Sequence, residues 1–509
     1  MHTRTGVYPA SLRNSTLAQL SAEIPRPRYD RSRTVPSLVH IGVGGFNRSH
    51  LAVYLDDLLN LDEDLQNRDE AVRWGEFGIG LLPADKPMQA ALTEQDHLYG
   101  LLLMDGNEQS YRVIGSLAGY LFARESQQAV LQRLSSPECA IVSMTVTEGG
   151  YFIEDSSGRF LADHEEIRHD LEYPQQPRTW LGFVAEAANR RMLNGGGPFT
   201  LLSCDNLQGN GETARKALLS FADARGTGLR RWMETNIAFP NSMVDRITPR
   251  TTEENRKAIE ETFGVLDLCP VVSEPFRQWV LEDSFAAGRP AWQRVGAQMT
   301  TDVAPYEKTK MRLLNGGHSA IGYAADLLGH STIAEAAADP LLQKLLIEFM
   351  AEVRPTLQQL PGIDLDDYAA TVVKRFLNPA LRDQVARICS DGCAKMAKFI
   401  VPSLVDLLEA GRGSRVLPLV LGTWLYYLRG HDENGRVLNI SDPALESLGP
   451  FLDAGADNAT LALSVRSLFG ELAFHHPQIV SAVQTALDQL RRQGVRAAVT
   501  QTLAKAKNS

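Results

Sequence analysis

Cysteine is scarce in this chain, with five residues in 509, at Cys139, Cys204, Cys269, Cys389 and Cys393. An odd, scattered set fits a reducing compartment better than a disulfide framework. Cys389 and Cys393 would share one face of a continuous helix, but no second pair completes a zinc site. His475-His476 runs directly into Pro477 and has no spaced partner, so no metal is expected. Long apolar runs are also lacking. The longest, Val416 to Leu428, is interrupted by Pro418 and Gly422 and is too short to span a bilayer. Residues 1–37 are polar and hold no apolar core of the signal-peptide kind. The expectation is a cytoplasmic, soluble protein with no membrane partner. Positive charge is in short supply too: 51 Lys and Arg face 61 Asp and Glu, a formal net charge of -10. Without a basic run, nucleic-acid binding is not expected. What remains is an ordinary globular composition, 44% hydrophobic and 22% charged, in a chain long enough for more than one domain.

After an irregular leader, Ser37 to Ile41 reads as a short buried strand that runs into a glycine turn. Leu51 to Leu59 has helical spacing, with Asp56 and Asp57 on its polar side. Further strands are expected at Phe77 to Leu82, Tyr111 to Ile114, Ala140 to Val146 and Phe199 to Ser203. Helical patterns lie between them, at Gln127 to Leu134 and Thr213 to Phe221. Such alternation predicts a parallel sheet covered by helices. From about Tyr306 onward the pattern is mainly helical, at Leu341 to Val353, Val385 to Ile400 and Ile479 to Leu490. Pro340 suits a helix start. The expected fold is α/β, with a Rossmann-like N-terminal domain over residues 1–295 and a largely α-helical C-terminal domain over 296–509.

The turn Gly42-Val43-Gly44-Gly45-Phe46-Asn47 follows a strand and opens a helix. Glycines at such a turn let the backbone approach a pyrophosphate, and the helix start offers N–H groups to its charge. Asn47 stands where the three-glycine fingerprint has its last glycine, so a tight turn without a ligand is the competing reading. The acid that holds the ribose hydroxyls in this motif follows the second strand. Here that strand runs into Pro83-Ala84-Asp85, which makes Asp85 the candidate. An acid there favours NAD over NADP, while the adjacent Lys86 leaves NADP as the alternative.

The segment Lys310 to His318 puts an amine, an amide and an imidazole on one short helical stretch. A neutral lysine can remove a hydroxyl proton while hydride leaves the same carbon. Asn315 can donate to the developing oxyanion, and His318 can orient a polyol. A hydrogen-bonded core histidine is the competing reading, since His318 falls on an apolar stripe with Leu314 and Ile321 at about 100° per residue. Gly316-Gly317 is poor helix chemistry and suggests a close approach to the backbone. A second amide, Asn206, follows the strand Phe199 to Ser203, at the sheet edge where open α/β sheets bind ligands.

Taken in order, Ile41–His50, Ile141–Tyr151, Ser203–Gly211, Phe239–Pro249, Gln278–Pro290, Lys310–His318 and Arg387–Lys395 resemble the polyol-specific long-chain dehydrogenases. The resemblance implies that Lys310 is the catalytic base, that Asn206 and Asn315 form an oxyanion hole, and that His318 binds substrate. It also implies that Glu307 gates a proton path, that Asp245 and Arg387 line the cleft, and that Gly42, Gly44, Gly45, Phe46 and Asp85 hold NAD without a catalytic metal. Thr147-Glu148-Gly149-Gly150 is closer to the mannitol-type members than to the uronate-reducing ones. The implied reaction interconverts a polyol and a ketose, D-mannitol and D-fructose first. Arabinitol, sorbitol or hexuronate relatives are the alternatives within this chemistry. A silent sugar- or nucleotide-binding protein is the alternative outside it. Monomer and small homo-oligomer both stay open.

Overall fold

The computed structural model describes residues 9–61, 74–154, 157–226 and 228–504. The chain divides into two compact units, the first ending at Ala304 and the second beginning at Pro305. Strand Gln298–Thr300 pairs with Gln278–Glu282 and so belongs to the first unit.

The first unit is built on six parallel strands: β1 (Leu38–Ile41), β2 (Glu76–Gly80), β3 (Leu117–Phe122), β4 (Ile141–Met144), β5 (Phe199–Ser203) and β6 (Ile237–Ala238). Their order in the sheet is 3-2-1-4-5-6, that of the doubly wound dinucleotide-binding sheets. Both faces are covered. Val39, Ile41, Val142, Met144 and Leu201 pack against the helices Ala123–Ser135, Trp180–Leu193 and Asn210–Arg225. Leu38, Ile141 and Leu202 pack on the opposite face, against Leu51, Tyr54 and Leu55 of helix Leu51–Leu61. This two-sided burial explains why these strands read as continuous apolar runs.

Two expectations are corrected in this unit. Tyr111 to Ile114 lies outside the main sheet. It is part of strand Glu108–Ile114, which pairs antiparallel with Tyr99–Asp105 in a separate three-stranded sheet. The third main-sheet strand is β3, whose Gly119 disguises it. A Cβ there would lie 2.4 Å from the Phe77 ring, so only glycine admits the neighbouring strand's side chain. Asp56, expected on a polar face, is fully buried. Its carboxylate accepts hydrogen bonds from the Tyr29 hydroxyl (2.7 Å), the Arg112 guanidinium (2.6 Å) and the Gly115 amide (2.9 Å). Buried charge persists when it is paired in this way.

The second unit is helical around one large core. Its centre is the helix Val416–Tyr427, buried on every side, as an all-apolar helix must be. Helices Gly316–Leu327, Pro340–Val353 and Pro477–Ala504 pack on it. Pro340 does open its helix, and the Asp339 carboxylate caps it by accepting from the Leu341 amide at 2.9 Å. The segment Val385 to Ile400 is not one helix. It breaks at Asp391 (φ 53°) between Val385–Cys389 and Gly392–Lys395, so Cys389 and Cys393 do not share a helix face. The break leaves room for the core. A Cβ on Gly392 would lie 2.6 Å from the Trp424 indole nitrogen. Among the described residues no helix is long and apolar enough to cross a membrane.

Candidate functional site

In the first unit the strand ends define the site. Gly42 leaves β1 with φ 92°, and a Cβ there would stand 2.2 Å from the carbonyl oxygen of Thr145. Glycine is therefore required on two counts, backbone conformation and contact. The turn is fastened by Gly42 N–H to the Ile79 carbonyl (2.9 Å) and by the Thr145 hydroxyl to the Gly42 carbonyl (2.8 Å). Beneath it His40 lies between the hydroxyls of Ser143 (2.8 Å) and Thr145 (3.1 Å). Burial lowers its pKa to about 3, so the ring is neutral. Gly44 differs from Gly42. It is exposed, with φ -99°, and a Cβ there would meet nothing closer than 3.9 Å. The backbone at Gly44 is thus uncovered at the start of helix Gly45–Ser49, a cradle that fits a pyrophosphate. Phe46 stacks on His50 with ring centroids 4.8 Å apart.

Asn47, in the place of the third glycine, is buried, and its Nδ2 donates to Glu76 Oε1 at 2.7 Å. Burial pushes the Glu76 carboxyl up to about 7. Asp85 sits in a short 3-10 turn beyond β2, where its Oδ2 accepts from the Leu82 amide at 2.8 Å. The adjacent Lys86 is ion-paired with Glu125.

At the ends of β4 and β5, Asp205 ties the two strands together. Its buried carboxylate accepts from the amides of Val146 (3.1 Å) and Thr147 (2.9 Å) and from the Tyr151 hydroxyl (2.6 Å). Desolvation raises its pKa, against these bonds. The clamp holds Thr147 at φ 63°, which is costly for a β-branched residue. Asn206, the next residue, is exposed at the same edge. Asp245 is buried at the end of strand Ser242–Asp245.

In the second unit, Lys310 to His318 is not a plain α-helix. A π turn, Met311–Asn315, joins helix Ala304–Lys310 to helix Gly316–Leu327. A π turn inserts one residue and so rotates the succeeding helix back by about 100°. In an unbroken helix Lys310 would lie about 80° from His318 and about 140° from Asn315. With the insertion these become about 20° and about 40°, and all three residues fall on one face. Lys310 is buried at 7% exposure, while Asn315 and His318 are half-buried. Glu307, one turn earlier, is buried as well. Lys308 and Arg312 both pair with Asp406, at 3.1 and 2.8 Å. Gly316 and Gly317 are explained by packing. Cβ atoms there would lie 3.0 Å from the Phe349 ring and 3.1 Å from Leu346, so the close approach is that of helix Pro340–Val353.

His318 stacks face to face on Phe376, with centroids 4.0 Å apart, and its Nε2 lies 3.7 Å from Asp383 Oδ2. Asp383 also holds the Arg387 guanidinium through contacts of 2.7–2.9 Å. Lys395 donates to the Ile388 carbonyl at 2.9 Å, at the end of the same short helix. Asp383 and Phe376 did not stand out in the sequence. The one available signal was the spacing of an aspartate four residues before Arg387. Asp205 was hidden beside Asn206. Among the described residues no group of three His, Cys, Asp or Glu side chains is placed to hold a metal.

Comparison with known proteins matches both units. The model for the mannitol dehydrogenase Rossmann domain covers residues 36–294, and that for the mannitol dehydrogenase C-terminal domain covers 302–491. A mannitol 2-dehydrogenase of Phaeosphaeria nodorum is 42% identical over 97% of this chain and 86% of its own length. One from Aspergillus fumigatus is 40% identical over 96% and 98%. Among solved structures, the Pseudomonas fluorescens mannitol 2-dehydrogenase, in a ternary complex with NAD and D-mannitol, is 42% identical. It covers 97% of this chain and all (100%) of its own, with a TM-score of 0.84. A substrate-free D-sorbitol dehydrogenase is 37% identical over 96% of this chain and 100% of its own, with a TM-score of 0.89. Matched over both of its units and nearly its whole length, this chain belongs to the mannitol dehydrogenase family.

Proposed function

We propose that this chain is an NAD-dependent polyol dehydrogenase that interconverts D-mannitol and D-fructose. The observation that carries the reading is the π turn, which gathers Lys310, Asn315 and His318 on one helical face, in a chain that also carries the dinucleotide turn. The uncovered backbone at Gly44, with Gly42, Gly45 and Phe46 around it, is assigned to the pyrophosphate. Asp85 is assigned to the ribose. NAD supplies the hydride acceptor when bound. The chain's own residues do the rest. Lys310 Nζ, neutral, takes the hydroxyl proton of the reacting carbon. The side-chain amides of Asn315 and Asn206 donate to the oxygen as charge gathers on it. His318, held flat on Phe376, orients the polyol hydroxyls. Glu307, one turn from Lys310, is the relay by which the amine loses its proton to solvent. Asp245 and Arg387 are assigned to the substrate cleft. The reaction as written uses no metal ion.

The match to a D-sorbitol dehydrogenase supports D-sorbitol as a second substrate. The test is a panel of polyols and ketoses with NAD and NADP, followed at the reduced-nicotinamide absorbance. D-Mannitol with NAD is expected to give the highest kcat/KM. Lys310→Ala is expected to lower kcat by about 10²–10⁴-fold, the usual contribution of a positioned base, while NAD binding persists. Undiminished turnover would remove the lysine from the reaction. Silence across the panel would favour a sugar- or nucleotide-binding protein.

A further inference from the structure

We infer that Asp383 is a positioning residue that makes this site select neutral polyols over sugar acids. The inference rests on the polyol dehydrogenase reading above. Asp383 lies just before helix Val385–Cys389. The backbone around it is pinned to a neighbouring loop: the Asp383 carbonyl accepts from the Ile333 amide at 2.9 Å, and the Val385 amide donates to the Ser331 carbonyl at 3.0 Å. The side chain is 11% exposed, so its carboxylate is held in place. One oxygen accepts from Arg387 Nε (2.9 Å) and Nη2 (2.7 Å), and the other from Nη2 (2.8 Å). That second oxygen also faces His318 Nε2 at 3.7 Å. One carboxylate therefore fixes the Arg387 guanidinium and places a negative charge beside His318, two of the polar groups assigned to the substrate.

The pair is a poor candidate for a stabilising feature. The Arg387 side chain is 64% exposed, and exposed ion pairs add little to stability. Its effect on a ligand is larger. A guanidinium with no counter-charge is the preferred partner of a carboxylate. Here Asp383 cancels that charge, so Arg387 can donate hydrogen bonds to hydroxyls without drawing in an anion. Asp383 also sets a negative charge beside His318, which repels a carboxylate placed there. Selection against the charged analogue thus comes from a repulsive element as well as an attractive one.

The test compares D-mannitol with D-mannonate, which has a similar carbon chain ending in a carboxylate, at saturating NAD. The wild type is expected to favour mannitol. Asp383→Asn keeps the shape and removes the charge. It is expected to raise the mannitol KM about tenfold, to leave kcat within about threefold, and to cut the mannitol-to-mannonate ratio of kcat/KM by at least about tenfold, the scale of a charged hydrogen bond. Asp383→Glu, which keeps the charge, should recover the preference. Adding Arg387→Ala to Asp383→Asn should abolish the gain toward mannonate, because the uncovered guanidinium supplies it. An unchanged KM and ratio in Asp383→Asn, or a gain that survives the loss of Arg387, would overturn the inference alone. A wild type that oxidises no polyol would overturn the functional reading beneath it.

Discussion

Gly42 and Gly44 stand two residues apart in one turn, and the structure requires that alanine act differently at each. At Gly42 the new methyl would lie 2.2 Å from Thr145 O and 3.1 Å from its carbonyl carbon. Both are backbone atoms, so no rotamer change relieves the clash. Thr145 must move by about 1 Å, an overpacking that costs about 1–3 kcal/mol. It is held by its amide on the Ile41 carbonyl (3.0 Å) and by its hydroxyl on the Gly42 carbonyl (2.8 Å). The backbone at φ 92° adds about 1–3 kcal/mol for a residue with a Cβ. The sum is about 2–6 kcal/mol, which at about 2–4 °C per kcal/mol predicts a Tm loss of about 4–24 °C. At Gly44 the nearest atom is 3.9 Å away and φ is -99°, so alanine should shift Tm by less than about 2 °C. Its methyl would instead occupy the space assigned to the pyrophosphate and raise the KM for NAD about tenfold or more. Thermal melting and NAD-dependent initial rates on the two variants decide the matter. Gly42→Ala melting with the wild type would refute the contact argument. Gly44→Ala with an unchanged NAD KM would move the dinucleotide away from this turn.

Two further outcomes are expected. The Glu76 carboxyl is raised from 4.5 to about 7 by burial, so the stability held by its neutral form is complete below about pH 4.5 and is lost as pH rises through about 7. Glu76→Gln should therefore melt with the wild type near pH 5 and above it at pH 8, by up to about 3 kcal/mol; equal melting at both pH values would refute the assignment. Asp85→Ala should narrow the ratio of kcat/KM for NAD over NADP by about tenfold, read from initial rates with each cofactor. An unchanged ratio would place ribose recognition elsewhere.

How much could be read in advance depended on how local each signal was. Strand Phe199–Ser203 was legible to the residue, and Ile41-Gly42-Val43-Gly44 marked the end of β1, because a buried run followed by glycine is a signal carried by neighbours in sequence. Pro340 was legible as a helix start for the same reason. β3 was not, since Gly119 is needed only because Phe77 crosses it in the next strand. Asp56 was read as solvated because its partners, Tyr29 and Arg112, lie far from it along the chain.

The sequence by itself determined the chemical inventory: a lysine, two amides, a histidine and a glycine turn, with the alternation that makes a doubly wound sheet. These follow from residue type and short-range periodicity. Tertiary structure decided how the inventory is arranged. The π turn that turns Lys310 toward Asn315 and His318, the Asp205 clamp across β4 and β5, and the hold of Asp383 on Arg387 beside His318 depend on atoms brought together by packing. A single inserted residue in a helix, or a carboxylate shared between two strands, leaves no periodic trace in the sequence, because its energy comes from partners that only the folded chain supplies.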